Sequence, residues 1–246
     1  MEKPVTVDGP STRRMLDLAA QSRAKGLKVG VGLMSRHSRA LQELEQRTRD
    51  GQLGEITSLH AYRMHGNTAS FRSTPKPDDI SELDYQIRRF HSFLWASGGC
   101  FNDFYIHVID HLCWMKNAWP VKAMGLGGRH FRHAPNGVTY VDQNFDSYSI
   151  EYEFADGTVM RFDGRTMDGA DNRFNSYMQG TKGAAIVSAN SDCGLPSKIF
   201  SKRSMSPDSL VWTSEVARNE RNPYQNEWED LIAAIRSGER LSELRR

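Results

Sequence analysis

The chain has 246 residues, a formal charge of +2, and 38% apolar and 25% charged side chains, the profile of a globular protein with room for one large domain or two small ones. So small a charge, with Lys and Arg scattered, provides no electrostatic footprint for nucleic acid, and no apolar run approaches the roughly 20 residues that span a bilayer. Cys100, Cys113 and Cys193 form no C-x-x-C pair, so neither a disulfide framework nor a thiolate zinc site is suggested, in keeping with a reducing compartment.

The opening Met1-Glu2-Lys3-Pro4 lacks the basic and apolar halves of a leader, so a cytoplasmic location is expected unless the natural start, with an export signal, lies upstream. Asp8-Gly9-Pro10-Ser11 is a turn and cap. Met15, Leu16, Leu18, Ala19 and Ala20 then give a helical stripe ending near Gly26. Residues 27–33 (LKVGVGL) read as a short apolar strand, and a second helix runs from about Ser35 to Asp50-Gly51, carrying Leu41 and Leu44. This α, β, α order belongs to a wound α/β layer.

Residues 56–64 read as a strand and 66–84, rich in Ser, Pro and Asp, as a long loop. A helix follows Gly98-Gly99. Strands are then expected at 121–131, 145–154, 158–166, 174–180 and 184–189, with weaker ones at 197–202 and 210–214. Ala155-Asp156-Gly157 and Thr181-Lys182-Gly183 read as hairpin turns in which Gly supplies positive φ. Asn222-Pro223 opens a last helix to about Ser237, with an apolar stripe of Tyr224, Trp228, Leu231, Ile232 and Ile235. The fold class expected is α+β, a short α/β piece followed by a largely antiparallel open sheet.

The stretch 98–111 (GGCFNDFYIHVIDH) carries the chemistry, with Asp103, His107, Asp110 and His111 at offsets of four, three and one. In a helix the first three share a face, and a carboxylate one turn from an imidazole can bind and deprotonate a hydroxyl. Three ionisable groups on one face are costly to bury without partner or role. Two other readings fit the same residues: polar side chains satisfied at an interface, or a metal site on His107 and His111, since H-V-I-D-H resembles H-x-x-E-H with the shorter Asp. Gly30-Val31-Gly32 lacks the third Gly of a dinucleotide fingerprint, and close packing of small residues explains it better.

Glu2-Lys3-Pro4, Arg36, Gly51-Gln52-Leu53-Gly54-Glu55-Ile56, and Ser97-Gly98-Gly99 through Asp103 and His107 to Asp110 occur in the order seen in glucose-fructose oxidoreductase and inositol dehydrogenase type proteins, and nearly the whole chain resembles this Gfo/Idh/MocA family. The resemblance implies a two-domain NAD(P)-dependent oxidoreductase of sugars, inositols and related polyols. Its Rossmann domain is followed by an α/β domain whose open sheet, with helices packed on one face, often forms the oligomer interface. Lys3 looks like the family lysine near the nicotinamide ribose and the reacting hydroxyl, Asp103 like the substrate-binding carboxylate and His107 like the general acid/base. Arg36 joins these three as substrate-binding, and Glu2, Lys3 and Pro4 as cofactor-binding, with Pro4 after a cis peptide as in relatives. No metal is implied, and His111 becomes structural.

The family's G-x-G-x-x-G belongs ahead of the E-K-P motif, where only two residues precede Lys3. The expectation is therefore an N-terminally truncated protein, with 1–35 a Rossmann remnant and 36–246 the substrate and oligomerisation domain. Such a chain would hold NAD or NADP loosely and be weakly active or inactive. Its partners would be a small sugar or polyol and a second copy through the sheet face, not nucleic acid or membrane. The rival readings are a non-catalytic oligomerisation or interaction module, an NAD-dependent glycoside hydrolase, and a metal-dependent hydrolase using His107 and His111.

Overall fold

The computed structural model describes residues 1–215, 222–239 and 241. In chain order its elements are α1 (Gly9–Ala24), α2 (Arg39–Arg49), β1 (Ile56–His65), α3 (Glu82–Arg88), the single turn α4 (Leu94–Ser97), α5 (Ile106–Lys116), β2 (Lys122–Gly128), β3 (Ser147–Glu153), β4 (Val159–Thr166), β5 (Arg173–Gly180), β6 (Ala184–Ser188), β7 (Lys198–Phe200), β8 (Leu210–Thr213) and α6 (Pro223–Ser237). The strands form one eight-stranded sheet in the order β2-β3-β4-β1-β5-β6-β7-β8. β1 lies parallel to β4, while the remaining pairings are antiparallel.

Period-two alternation decides which side is dry. Leu59 and Ala61 of β1, Met160 and Phe162 of β4, Met178 of β5 and Val187 of β6 are all buried on one face, against Val108, Leu112 and Cys113 of α5 and Leu41 and Leu44 of α2. On the other face, His60, Tyr62, Asp163 and Tyr177 alternate with them and are half-buried, with no helix of the described residues across them. Helices thus cover one side of an open sheet, the α+β arrangement expected.

Two glycines set how closely the layers meet. A Cβ at Gly164 would fall 2.7 Å from the Tyr105 ring, and one at Gly180 would fall 2.1 Å from the Leu53 carbonyl oxygen. The first lets the start of the central helix lie directly on β4; the second closes the end of α2 onto β5.

Four expectations change. Residues 27–33 are not a strand, because a strand needs a ladder: the Gly30 carbonyl and the Gly32 amide bond only to Met1, at 2.7 and 3.0 Å. Gly183 does not adopt positive φ; it is small because a Cβ there would meet the Phe200 carbonyl oxygen at 2.3 Å. β2 stops at Gly128, since the amides of His130 and Phe131 donate to the Asp146 carboxylate instead of extending the ladder. Finally, α6 turns its polar side inward. Asn226 donates to the His37 carbonyl at 3.1 Å and Asp230 meets His37 Nδ1 at 2.7 Å, while Trp228, 64% exposed, and Ile235, 58% exposed, point away. α1 likewise buries no residue.

Candidate active site

The helix that begins after Gly98 is not uniform. Gly98 and Gly99 have φ of 67° and 73°, a conformation open to Gly without steric penalty. Residues Phe101–Tyr105 then form one π turn before α5 continues as ordinary α-helix. Such turns hold one residue more than an α turn and are frequent at functional sites. Asn144 fixes the entry. Its Oδ1 accepts the Cys100 amide at 2.7 Å and its Nδ2 donates to the His91 carbonyl at 2.8 Å.

The π turn presents Asp103, which is buried. Lys3 Nζ donates to Asp103 Oδ1 at 2.7 Å and to the Asp103 carbonyl, also at 2.7 Å. His91 Nε2 lies 3.1 Å from Asp103 Oδ2. The Ser70 amide is directed at His91 Nδ1, so the network assigns the imidazole proton to Nε2, which donates to the carboxylate. Burial works to raise the Asp103 pKa, but the hydrogen bonds from His91 and Lys3 outweigh it and hold the carboxyl below its usual value.

One turn on, His107 is 8% exposed and its Nδ1 is buried with no hydrogen-bond partner. Desolvation lowers its pKa, against the attraction of Asp192, which favours the neutral imidazole at physiological pH. Lys3, Asp103 and His107 border one cavity of about 500 Å³, within the range of small-molecule sites. Glu2, Gly32 and Met34 line it from the N-terminal segment, Arg63 from β1, Asp192 from the loop after β6, and Tyr224 from α6.

Sequence expectation and geometry part at three places. Asp110 does not join Asp103 and His107 at the cavity. It receives a bidentate pair from Arg36, Nε at 2.8 Å and Nη2 at 2.7 Å, and the centre of the Trp114 ring lies 5.8 Å from the same guanidinium. Arg36 accordingly is not on the cavity wall; it ties the segment before α2 to α5. Pro4 follows a cis Lys3–Pro4 peptide and is likewise off the wall, whereas Glu2 and Lys3 are on it.

His111 is fully buried, with Nε2 2.8 Å from Ser176 Oγ and Nδ1 3.3 Å from the Asp192 carbonyl. Both nitrogens therefore serve the packing of α5 on β5 and on the Asp192 loop. Among the described residues no group of three or more His, Cys, Asp or Glu could hold a metal ion.

Tyr85, Arg88, Arg89 and Trp95 do not line the cavity; Phe90 and His91 of the same stretch do. His91, Arg63 and Asp192 are functional candidates that no spacing rule reveals, because each comes from a different element. Gly30 and Gly32 are packing positions: a Cβ at Gly32 would fall 2.4 Å from a Glu2 carboxylate oxygen.

The fold is thus an open, mixed eight-stranded sheet with Asp103 and His107 on a covering helix. The structure superposes on an oxidoreductase domain protein from Kribbella flavida (TM-score 0.72, 15% identity, 98% of this chain and 66% of that one). It also matches the aldose-aldose oxidoreductase from Caulobacter crescentus, solved with glycerol (0.70, 18%, 98% and 62%), and a levoglucosan dehydrogenase in complex with NADH and levoglucosan (0.71, 16%, 98% and 65%). The chain thus spans just under two thirds of the length of these structures. The family described as GFO/IDH/MocA C-terminal domain matches residues 41–186, more than half of the chain, and the chain belongs to that family. Comparison with curated proteins gives no match.

The residues present fit the reacting end of a nicotinamide cofactor better than its phosphates. His107 and the Lys3–Asp103 pair border the cavity together. The N-terminus of α1, by contrast, is capped by the Asp8 carboxylate, which accepts the Ser11 amide at 2.8 Å, and so offers no phosphate site of its own.

Proposed function

We propose that this chain carries the substrate-handling part of an NAD(P)-dependent oxidoreductase acting on a hydroxyl of a sugar, inositol or related polyol. The observation that supports it most is the His107 imidazole, held neutral by burial and left with an unpartnered nitrogen, on the same cavity as a lysine anchored by a carboxylate. The nicotinamide, when bound, supplies the hydride acceptor. The neutral His107 takes the hydroxyl proton as the carbonyl forms, and returns it in the reverse direction. Lys3 donates to the oxygen as its negative charge develops. Asp103 holds Lys3 in place and offers its remaining lone pairs to a neighbouring hydroxyl.

In this reading residues 1–35 belong with a dinucleotide-binding domain and 36–246 form the substrate and oligomerisation domain. Glu2 and Lys3 would stand at the nicotinamide end, and Arg36 would act through Asp110 rather than on substrate. The uncovered sheet face, with Tyr62 stacked on His60 at 4.2 Å and Arg173 over Tyr62 at 3.6 Å, suits contact with a second copy.

Calorimetric titration of the chain with neutral sugars and inositols tests the site: binding that is lost in His107→Ala and Asp103→Asn is expected. NAD and NADP are expected to bind weakly and turnover over the same panel to be slow. A panel with no binding by any polyol would count against the assignment.

A further inference from the structure

Arg63 is a cavity cation that makes no ion pair among the described residues. Its guanidinium lies 3.5 Å from the centre of the Phe174 ring and 5.9 Å from that of Phe104, a stacked position that fixes its plane and leaves its N–H edge for hydrogen bonding. Its Nε is buried without a partner, and it makes no ion pair among the described residues. The other arginines buried near the site are paired: Arg36 bidentately with Asp110, and Arg72 with Asp146 at 3.5 Å and Asp168 at 3.2 Å.

The cavity holds no other cation to compete. Lys3 is neutralised by Asp103, and His107 is kept neutral by burial. Two further carboxylates line the wall. Glu2 is exposed and packs on Gly32, and Asp192 attracts Arg63 from beyond ion-pairing distance. Neither closes the guanidinium fork. A half-buried cation whose Nε has no partner gains from a ligand that supplies acceptors to its open edge, and a carboxylate does so with two parallel charge-assisted hydrogen bonds, where a hydroxyl supplies one weaker one.

We propose that Arg63 selects a substrate bearing a carboxylate, a uronic or aldonic acid of hexose size, with its acid group on the guanidinium and a hydroxyl at Lys3 and His107. This rests on the polyol oxidoreductase reading above and narrows its substrate class. The cavity of about 500 Å³ has room for a six-carbon sugar acid.

Calorimetry on the full chain at pH 7 with D-glucuronate, D-galacturonate and D-gluconate, each against its neutral counterpart glucose, galactose or sorbitol, tests this directly. At least one acid is expected to bind about ten-fold or more tighter than its neutral partner, with an affinity that falls as salt rises. Arg63→Gln should erase that preference, lowering acid affinity about ten-fold relative to that of the matched neutral sugar in the same variant, and Arg63→Lys, which keeps charge but not the fork, should retain only part of it. Thermal melts of both variants establish that they fold.

Neutral sugars bound as tightly as acids, or a preference unchanged in Arg63→Gln, would overturn the proposal and leave the oxidoreductase reading intact. Arg63 would then be serving Asp192. Failure of every acid and every neutral sugar to bind removes both.

Discussion

Lys3 Nζ lies 2.7 Å from the side chain and 2.7 Å from the backbone carbonyl of Asp103, joining positions one hundred residues apart. Two acceptors on one residue hold the ammonium more firmly than a surface ion pair could, and His91 braces the same carboxylate from its other oxygen. Asp103→Asn keeps the shape and removes the charge. With hydrogen bonds to charged groups contributing about 1.5–3 kcal/mol, and Lys3 still 20% exposed, it should lower stability by about 1–2 kcal/mol in denaturant melts and weaken polyol binding at least ten-fold. Because the folded-state pKa of Asp103 is depressed, this stabilisation is complete above the ordinary carboxylate pKa and is lost as pH falls through the depressed value. The acid limb of the wild-type stability curve should therefore be shallower in Asp103→Asn.

His107 is predicted to titrate below the ordinary histidine value, because burial outweighs the attraction of Asp192. An NMR titration of the imidazole resonances gives the midpoint. In Asp192→Asn, which removes the stabilising carboxylate, it should move lower still. A midpoint at or above about 6.5, the value for a free imidazole, would remove the argument that this base is poised neutral.

Arg36→Ala strips Asp110, 2% exposed, of its bidentate partner. Breaking a buried pair on one side costs about 3–5 kcal/mol, and a denaturation midpoint shifted to that extent is expected. The Arg36→Ala/Asp110→Ala double variant should lose less than the sum of the singles, as coupled partners do. Sugar affinity in the double variant should stay within a few-fold of wild type, since neither residue borders the cavity.

Asn144 touches no part of the cavity, yet it holds both the Cys100 amide and the His91 carbonyl. Asn144→Ala leaves the two groups unpaired, about 1–3 kcal/mol for each that stays dry. Alongside the lower melting temperature, polyol affinity is expected to drop several-fold as Asp103 and His91 lose their fixed spacing. Destabilisation with undiminished affinity would show that Asn144 supports the fold alone.

His111 has its pKa lowered to about 4 by complete burial. The unfolded chain takes up this proton near pH 6.5 and the folded one does not. Stability is thus unaffected above about pH 6.5, falls as pH drops from there to about 4, and levels off below, a total of about 3 kcal/mol. Urea melts at pH 7.5 and 4.5 read the effect, and His111→Gln, which can still hydrogen-bond Ser176, should flatten it.

Much of this architecture is legible in period-two alternation. β1 and β3 to β6 fall within a residue or two of their expected limits, most clearly β1 and β4, where one face is buried and the pattern has no alternative register. Asp103 and His107 are legible because motif and spacing agree. The misses share a physical cause, which is that single-chain patterns do not say what lies across from an element. Residues 27–33 are apolar enough for a strand but lie beside Met1, Ser22 and Leu231 and not beside another strand. The apolar stripe of α6 is real, yet the tie of Asp230 and Asn226 to His37 orients the helix the other way. Asp110 sits on the expected helix, but Arg36 draws it into a separate pair. His91, Arg63 and Asp192 are scattered along the chain and become a set only after the sheet is built.

The π turn at Phe101–Tyr105 makes the site sensitive to chain length in an unusual direction. Removing one residue there would let the backbone relax into an unbroken α-helix, with better hydrogen-bond geometry than it has now. The flanking turns would keep their register, because the π turn already holds the extra residue, but side chains within the turn would be re-aimed by about 100°, carrying Asp103 away from the cavity or Tyr105 off its seat on Gly164. A one-residue shortening that regularises this helix is thus expected to yield a well-folded protein without its chemistry, so the irregularity serves the site and not the fold.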